Sequence, residues 1–152
     1  GRQLAPLRKD VAGALHSEIE SVPGRVRRLL RPRADRDIGP TTRLDPIEVD
    51  ETAALIGLVA VCRGYAGELA VSEVTQRAFI ELRHDVERAT TALVEQVRTG
   101  DTGNARAHTF RQGQVEVAVR FCAPLFGTDF AALMARAAEG AEPEPRAAVR
   151  GA

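Results

Sequence analysis

Six arginines crowd the stretch "PGRVRRLLRPRADR", Pro23 to Arg36, against a single aspartate. Arg25, Arg27, Arg28, Arg31, Arg33 and Arg36 are the groups here best suited to recognition, because each guanidinium offers a planar fork of donors that matches carboxylate or phosphate oxygens. The run points to an anion: an acidic protein, a nucleic-acid backbone or a lipid head group. The spacing also fits a plainer reading. On a helix Arg25 and Arg28 share one side and Arg27 and Arg31 another, while Val26, Leu29 and Leu30 turn inward, as on the wet face of any surface helix. Lys9 is the sole lysine, so arginine is the default cation of this chain and its composition is of the GC-rich, bacterial type. Net charge is zero, with 21 basic and 21 acidic side chains. No aromatic residue is interleaved for base stacking. An acidic protein partner therefore ranks ahead of nucleic acid, which would use the span Arg25 to Arg43.

Covalent and metal chemistry find less support. Glu81 and His84 have the Glu-x-x-His spacing that places a carboxylate and an imidazole on one helix face, half of a di-iron motif. His16 and His108 have no glutamate three positions earlier, so the second half is missing and the pair is a weak metal candidate. Ser17 and Ser72 sit in no nucleophile-elbow context. Cys122 lies in an apolar stretch, where a thiol stays neutral, and Cys62 is likewise flanked by apolar residues. No phosphate-binding glycine loop and no paired-cysteine motif occurs, and Gly100 to Gly103 reads as a turn. No catalytic residue and no cofactor are assigned.

The elements that would position these groups are helical. The composition, 44% hydrophobic and 28% charged, is that of a globular chain with a real core. Leu4, Leu7, Val11, Leu15 and Ile19 form one stripe at intervals of three and four, predicting an amphipathic helix over 4–21. Pro23-Gly24 predicts a kink or a restart over 24–31. Residues 32–47 hold three prolines and read as a surface loop. A helix over 50–70 follows, with Asp50 as N-cap. Leu55, Leu58, Cys62, Tyr65 and Leu69 make its stripe, with enough other apolar residues to bury it nearly all round. Gly57, Gly64 and Gly67 would then mark close approach of a neighbour. Over 72–98 the stripe Phe79, Leu82, Val86, Ala89, Leu93, Val97 runs between charged faces, and Gly100 closes the helix. Whether this helix is continuous with the one before it stays open.

Val115, Val117, Val119 and Phe121 alternate as in a strand, yet Phe110, Val117, Phe121 and Leu125 also form a helical stripe. A lone strand has nothing to pair with, which favours a helix over 105–125. Gly127 ends it, and a short helix runs through Ala138. The expected organisation is an all-α antiparallel bundle of four to five helices. It comprises a partly separate N-terminal helix (1–31), the loop (32–47), the bundle core (48–139) and a disordered tail (140–152). Two cysteines in apolar settings, without a secretory leader or a membrane span, imply a reducing, cytoplasmic setting. The functional expectation is a non-catalytic interaction or regulatory module, self-associating as a homodimer, with the arginine run facing an acidic partner. The alternatives are a nucleic-acid-binding regulator and a bundle enzyme or ligand or metal carrier.

Overall fold

The computed structural model describes residues 4–63, 69–100 and 103–141, with the backbone alone at 4–12, 69 and 70. Five α-helices pack on one another: α1 (Leu4–Leu30), α2 (Pro46–Arg63), α3 (Leu69–Thr99), α4 (Ala105–Phe126) and α5 (Thr128–Ala141). No strand occurs among the described residues. No helix among them is long and apolar enough to cross a membrane.

α3 is the hub, and its predicted stripe is its core face. Leu82, Val86 and Leu93 are wholly buried and Phe79 and Val97 nearly so, while Ala89 is half-buried. Contacts along α3 establish the directions of its neighbours. Phe79 lies beneath Arg63 at the end of α2, with the guanidinium 4.0 Å from the ring centre. Arg83 covers Phe126 at the end of α4 at 5.0 Å. Thr90 touches Cys122 one turn earlier on α4. Ascending α3 thus meets descending α4, an antiparallel pair. α1 lies alongside α3, the most extensive pairing in the molecule, with Arg27 reaching Glu81 and Asp85.

Several expectations are corrected. Of the expected kink or restart at Pro23-Gly24, the restart is overturned: α1 continues through Pro23 as one helix. An interior proline costs about 3 kcal/mol. Here Ile19, Val22, Val26 and Leu30 are wholly buried around it, and each large apolar side chain removed from water contributes about 1.5–3 kcal/mol. The same burial makes the second half of α1 part of the main core. In the preceding turn Gly13, Ala14, Ser17 and Glu18 are exposed, while Leu15 packs against the same core. α2 begins at Pro46, not Asp50. Asp45 is its cap, accepting from the Ile47 N–H at 2.9 Å, and proline suits the first helical position because its missing donor would be unpaired there anyway.

α2 is also not buried all round. Val49, Thr52, Ile56 and Val59 form its core face, Leu55, Leu58 and Cys62 are half-buried, and Val61 is exposed. A helix with apolar residues on every side contains no periodic signal to choose a face. Gly57 meets no neighbour, since a Cβ there would find nothing within 4 Å. The matching expectations for Gly64 and Gly67, and the continuity of α2 with α3, fall outside the described residues. So does the tail beyond Ala141.

The ambiguous valine segment is helical, within α4. Its buried positions Ala107, Arg111, Gln114, Ala118, Cys122 and Leu125 recur every three or four residues, so the strand-like alternation is incidental. Gly127 ends α4 with φ +95, a conformation open to glycine and costly for a side chain. α5 follows immediately and runs to Ala141, one turn beyond expectation.

Candidate functional site

Pro32 ends α1, because the residue before a proline is disfavoured in helical conformation. The last carbonyls of α1 would then lack partners inside the protein. Side chains of α3 and α4 supply them. Gln114, wholly buried, donates through Nε2 to the Leu29 carbonyl at 3.1 Å and the Arg31 carbonyl at 2.9 Å. Two residues later the Arg33 carbonyl accepts from Gln96 Nε2 at 3.1 Å and Arg111 Nη2 at 2.8 Å. Arg111 is buried and also pairs with Asp35 Oδ1. This network holds the loop down on the ends of α3 and α4. It carries a cost, for Arg33 Nε, Arg111 Nε, Gln96 Oε1 and Gln114 Oε1 are buried without a hydrogen-bond partner among the described residues.

Beyond it a 3-10 turn, Asp35–Asp37, delivers Ile38 into a small second core with Ala107, Phe110 and Leu44. The Gly39 N–H donates to Thr42 Oγ1 at 2.9 Å, closing the loop before α2. Thr42, Arg43 and Leu44 then face Ala105, Arg106, Thr109, Phe110 and Gly113 of α4 across an open groove of about 480 Å³. Its floor is apolar and its rim carries two exposed guanidiniums, Arg43 and Arg106.

The six arginines of the run do not form one surface. Arg25 turns to Glu51 of α2 at 3.5 Å. Arg27 binds Glu81 and Asp85 of α3 at 2.7 Å each. Its pKa is raised further by the hydrogen bonds to Glu81 and then Asp85, so it stays charged. Arg33 is half-buried, with its guanidinium 5.0 Å from the Phe110 ring centre. Arg28, Arg31 and Arg36 are exposed and form no ion pair among the described residues. Three of the six are thus spent on neighbouring elements, and three face outward beside the loop.

Glu81 and His84 are not brought together as ligands. Glu81 is held by Arg27, and His84 Nε2 accepts from Arg88 Nη2 at 3.0 Å. No group of three or more His, Cys, Asp or Glu side chains gathers among the described residues. Both cysteines are free thiols. Burial pushes the Cys122 thiol upward, opposed by its contact with Thr90, which favours its neutral form.

Gln96, Arg106, Arg111 and Gln114 escaped the sequence reading. A signal existed: Arg111 and Gln114 share the stripe of Ala107 and Ala118, but polar residues are normally read as outward-facing. Comparisons with protein-family models, curated proteins and solved structures find no match to this chain.

Proposed function

We propose that this chain is a non-catalytic helical interaction module that docks an acidic segment of a partner protein in the groove between the loop and α4. The observation that carries this reading is the pairing of an apolar floor, Leu44 and Phe110, with Arg43 and Arg106 on the rim. An amphipathic acidic peptide has the complementary pattern, an apolar side chain flanked by carboxylates. Arg28, Arg31 and Arg36 are exposed on the preceding segment of chain, and the buried donors from α3 and α4 keep the loop in place, so the surface is preformed. No aromatic residue is interleaved with the arginines of the run for base stacking, which places the nucleic-acid reading second.

Self-association belongs to the same proposal. Ile47 and Val61, near the two ends of α2, are 69% and 58% exposed, large apolar side chains that a second copy would cover. Two free thiols suit the reducing cytoplasm in which we place such a module.

The test uses a fluorescent peptide of alternating glutamate and leucine pairs and the full chain. Binding should weaken at least about tenfold in Arg43→Glu/Arg106→Glu, as expected for reversing two rim charges. An affinity that ignores the double reversal removes the groove from consideration. Duplex DNA in a mobility-shift assay should show no specific complex; binding with a slope of about one log unit per phosphate against log salt would shift the reading to nucleic acid. Mass in solution reports the oligomer.

A further inference from the structure

A second cleft, on a different part of the bundle, has the opposite electrostatic character. It lies between α3, α4 and α5, holds about 400 Å³, and is lined by Val94 and Val97, by Gln112, Val115, Glu116 and Val119, and by Ala135, Ala138 and Glu139. The cleft exists because α5 meets a wall of valines with alanines. Val97 and Val115 are buried at its back, and the short side chains of Ala135 and Ala138 do not fill the space in front. Its size and predominantly apolar lining with a few polar groups are those of small-molecule sites.

The two carboxylates decide which molecule. Glu116 and Glu139 are exposed, on α4 and α5 respectively, and neither forms an ion pair among the described residues. The natural neutraliser of Glu116 is Arg120, one turn ahead on the same helix. Arg120 instead reaches away to Asp50 of α2 at 2.8 Å. No basic side chain lines the cleft. An anion would be repelled by the two carboxylates, and a neutral molecule would gain no charge attraction from them. A cation with an apolar body would satisfy both features.

We propose that the α3–α4–α5 cleft binds lipophilic organic cations, with the valines and alanines taking the apolar body and Glu116 and Glu139 the charge. The site is independent of the arginine-bordered groove and stands or falls apart from it. Tetraphenylphosphonium and tetraphenylborate have the same shape and opposite charge, so titrating the full chain with each by calorimetry separates charge from apolar fit. Tetraphenylphosphonium should bind once per chain, and tetraphenylborate at least about tenfold more weakly. Glu116→Gln/Glu139→Gln, both on exposed positions that leave the core untouched, should weaken the cation about tenfold and bring the two ions close together. Ala135→Phe, checked for helicity by circular dichroism, should abolish cation binding by filling the cleft. Equal binding of the two ions, absence of cation binding at millimolar concentration, or unchanged affinity in the glutamine variant would each overturn the assignment.

Discussion

Replacing Gln114 by leucine tests whether the arginine-bearing loop is anchored by side-chain donors from α4. The amide Nε2 serves the carbonyls of Leu29 and Arg31 from a wholly buried position. Leucine keeps the volume and withdraws both donors. A buried acceptor left unpaired costs about 1–3 kcal/mol; the Leu29 bond is buried and the Arg31 bond partly so, so the two together cost about 3–4 kcal/mol. Part of this is returned: Gln114 Oε1 is already buried without a partner, and removing it recovers about 1–2 kcal/mol. The expected net loss is about 2 kcal/mol. At a urea dependence of about 2 kcal/mol per molar, the unfolding midpoint should fall by about 1 M with unchanged slope. The loss should also be local. Cleavage by trypsin after Arg33, Arg36 and Arg43 under native conditions should accelerate about tenfold, since opening the loop no longer breaks the two anchors. Gln76→Leu, on the exposed face of α3, is the control and should stay within about 0.5 kcal/mol of the parent. A Gln114→Leu midpoint equal to that control, with unaltered cleavage, would refute the anchoring argument.

Two glycines should respond in opposite directions to alanine. Gly57→Ala, where the new Cβ meets open space, should raise stability by about 0.5–1 kcal/mol. Gly127→Ala, at φ +95, should lower it by about 1–3 kcal/mol; thermal melts of both report the signs. Arg27→Met should cost about 0.5–1.5 kcal/mol in dilute buffer, because Glu81 is half exposed while Asp85 is mostly covered. The difference from the parent should shrink in 1 M salt, as screening predicts. With a disulfide reagent at pH 8 the half-buried Cys62 should react first, and Cys122 only at the rate of unfolding. Because burial raises the Cys122 pKa, its stabilising contribution is intact below the unfolded-state value near 8.5 and is lost as pH climbs through the folded-state one. Cys122→Ala should therefore flatten the alkaline arm of the stability curve.

How much was legible depended on how much each helix contrasted its two faces. α3 separates its apolar stripe from charged neighbours, so period alone identified Phe79, Leu82, Val86, Leu93 and Val97 as core. Gly127 and the all-helical class were legible for similar reasons: one turn signal, and no second strand for the valine segment to pair with. α2 is apolar on all sides, so only packing against α3 and α4 picked Val49, Thr52, Ile56 and Val59 over Leu55 and Leu58. Pro23 shows tertiary burial outweighing a local helix breaker.

The candidate site was legible only as a supply of charge. Twenty-one cations and their crowding near Pro23 are written in the chain. Which of them stay outward was decided by partners far away along it: Glu81 and Asp85 for Arg27, and Glu51 for Arg25. The carbonyls that pull Gln114 and Arg111 inside belong to residues more than seventy positions earlier. Side-chain periodicity reports which face of a helix avoids water. It is silent on which polar group will meet a distant backbone atom, because that pairing exists only after the helices have packed.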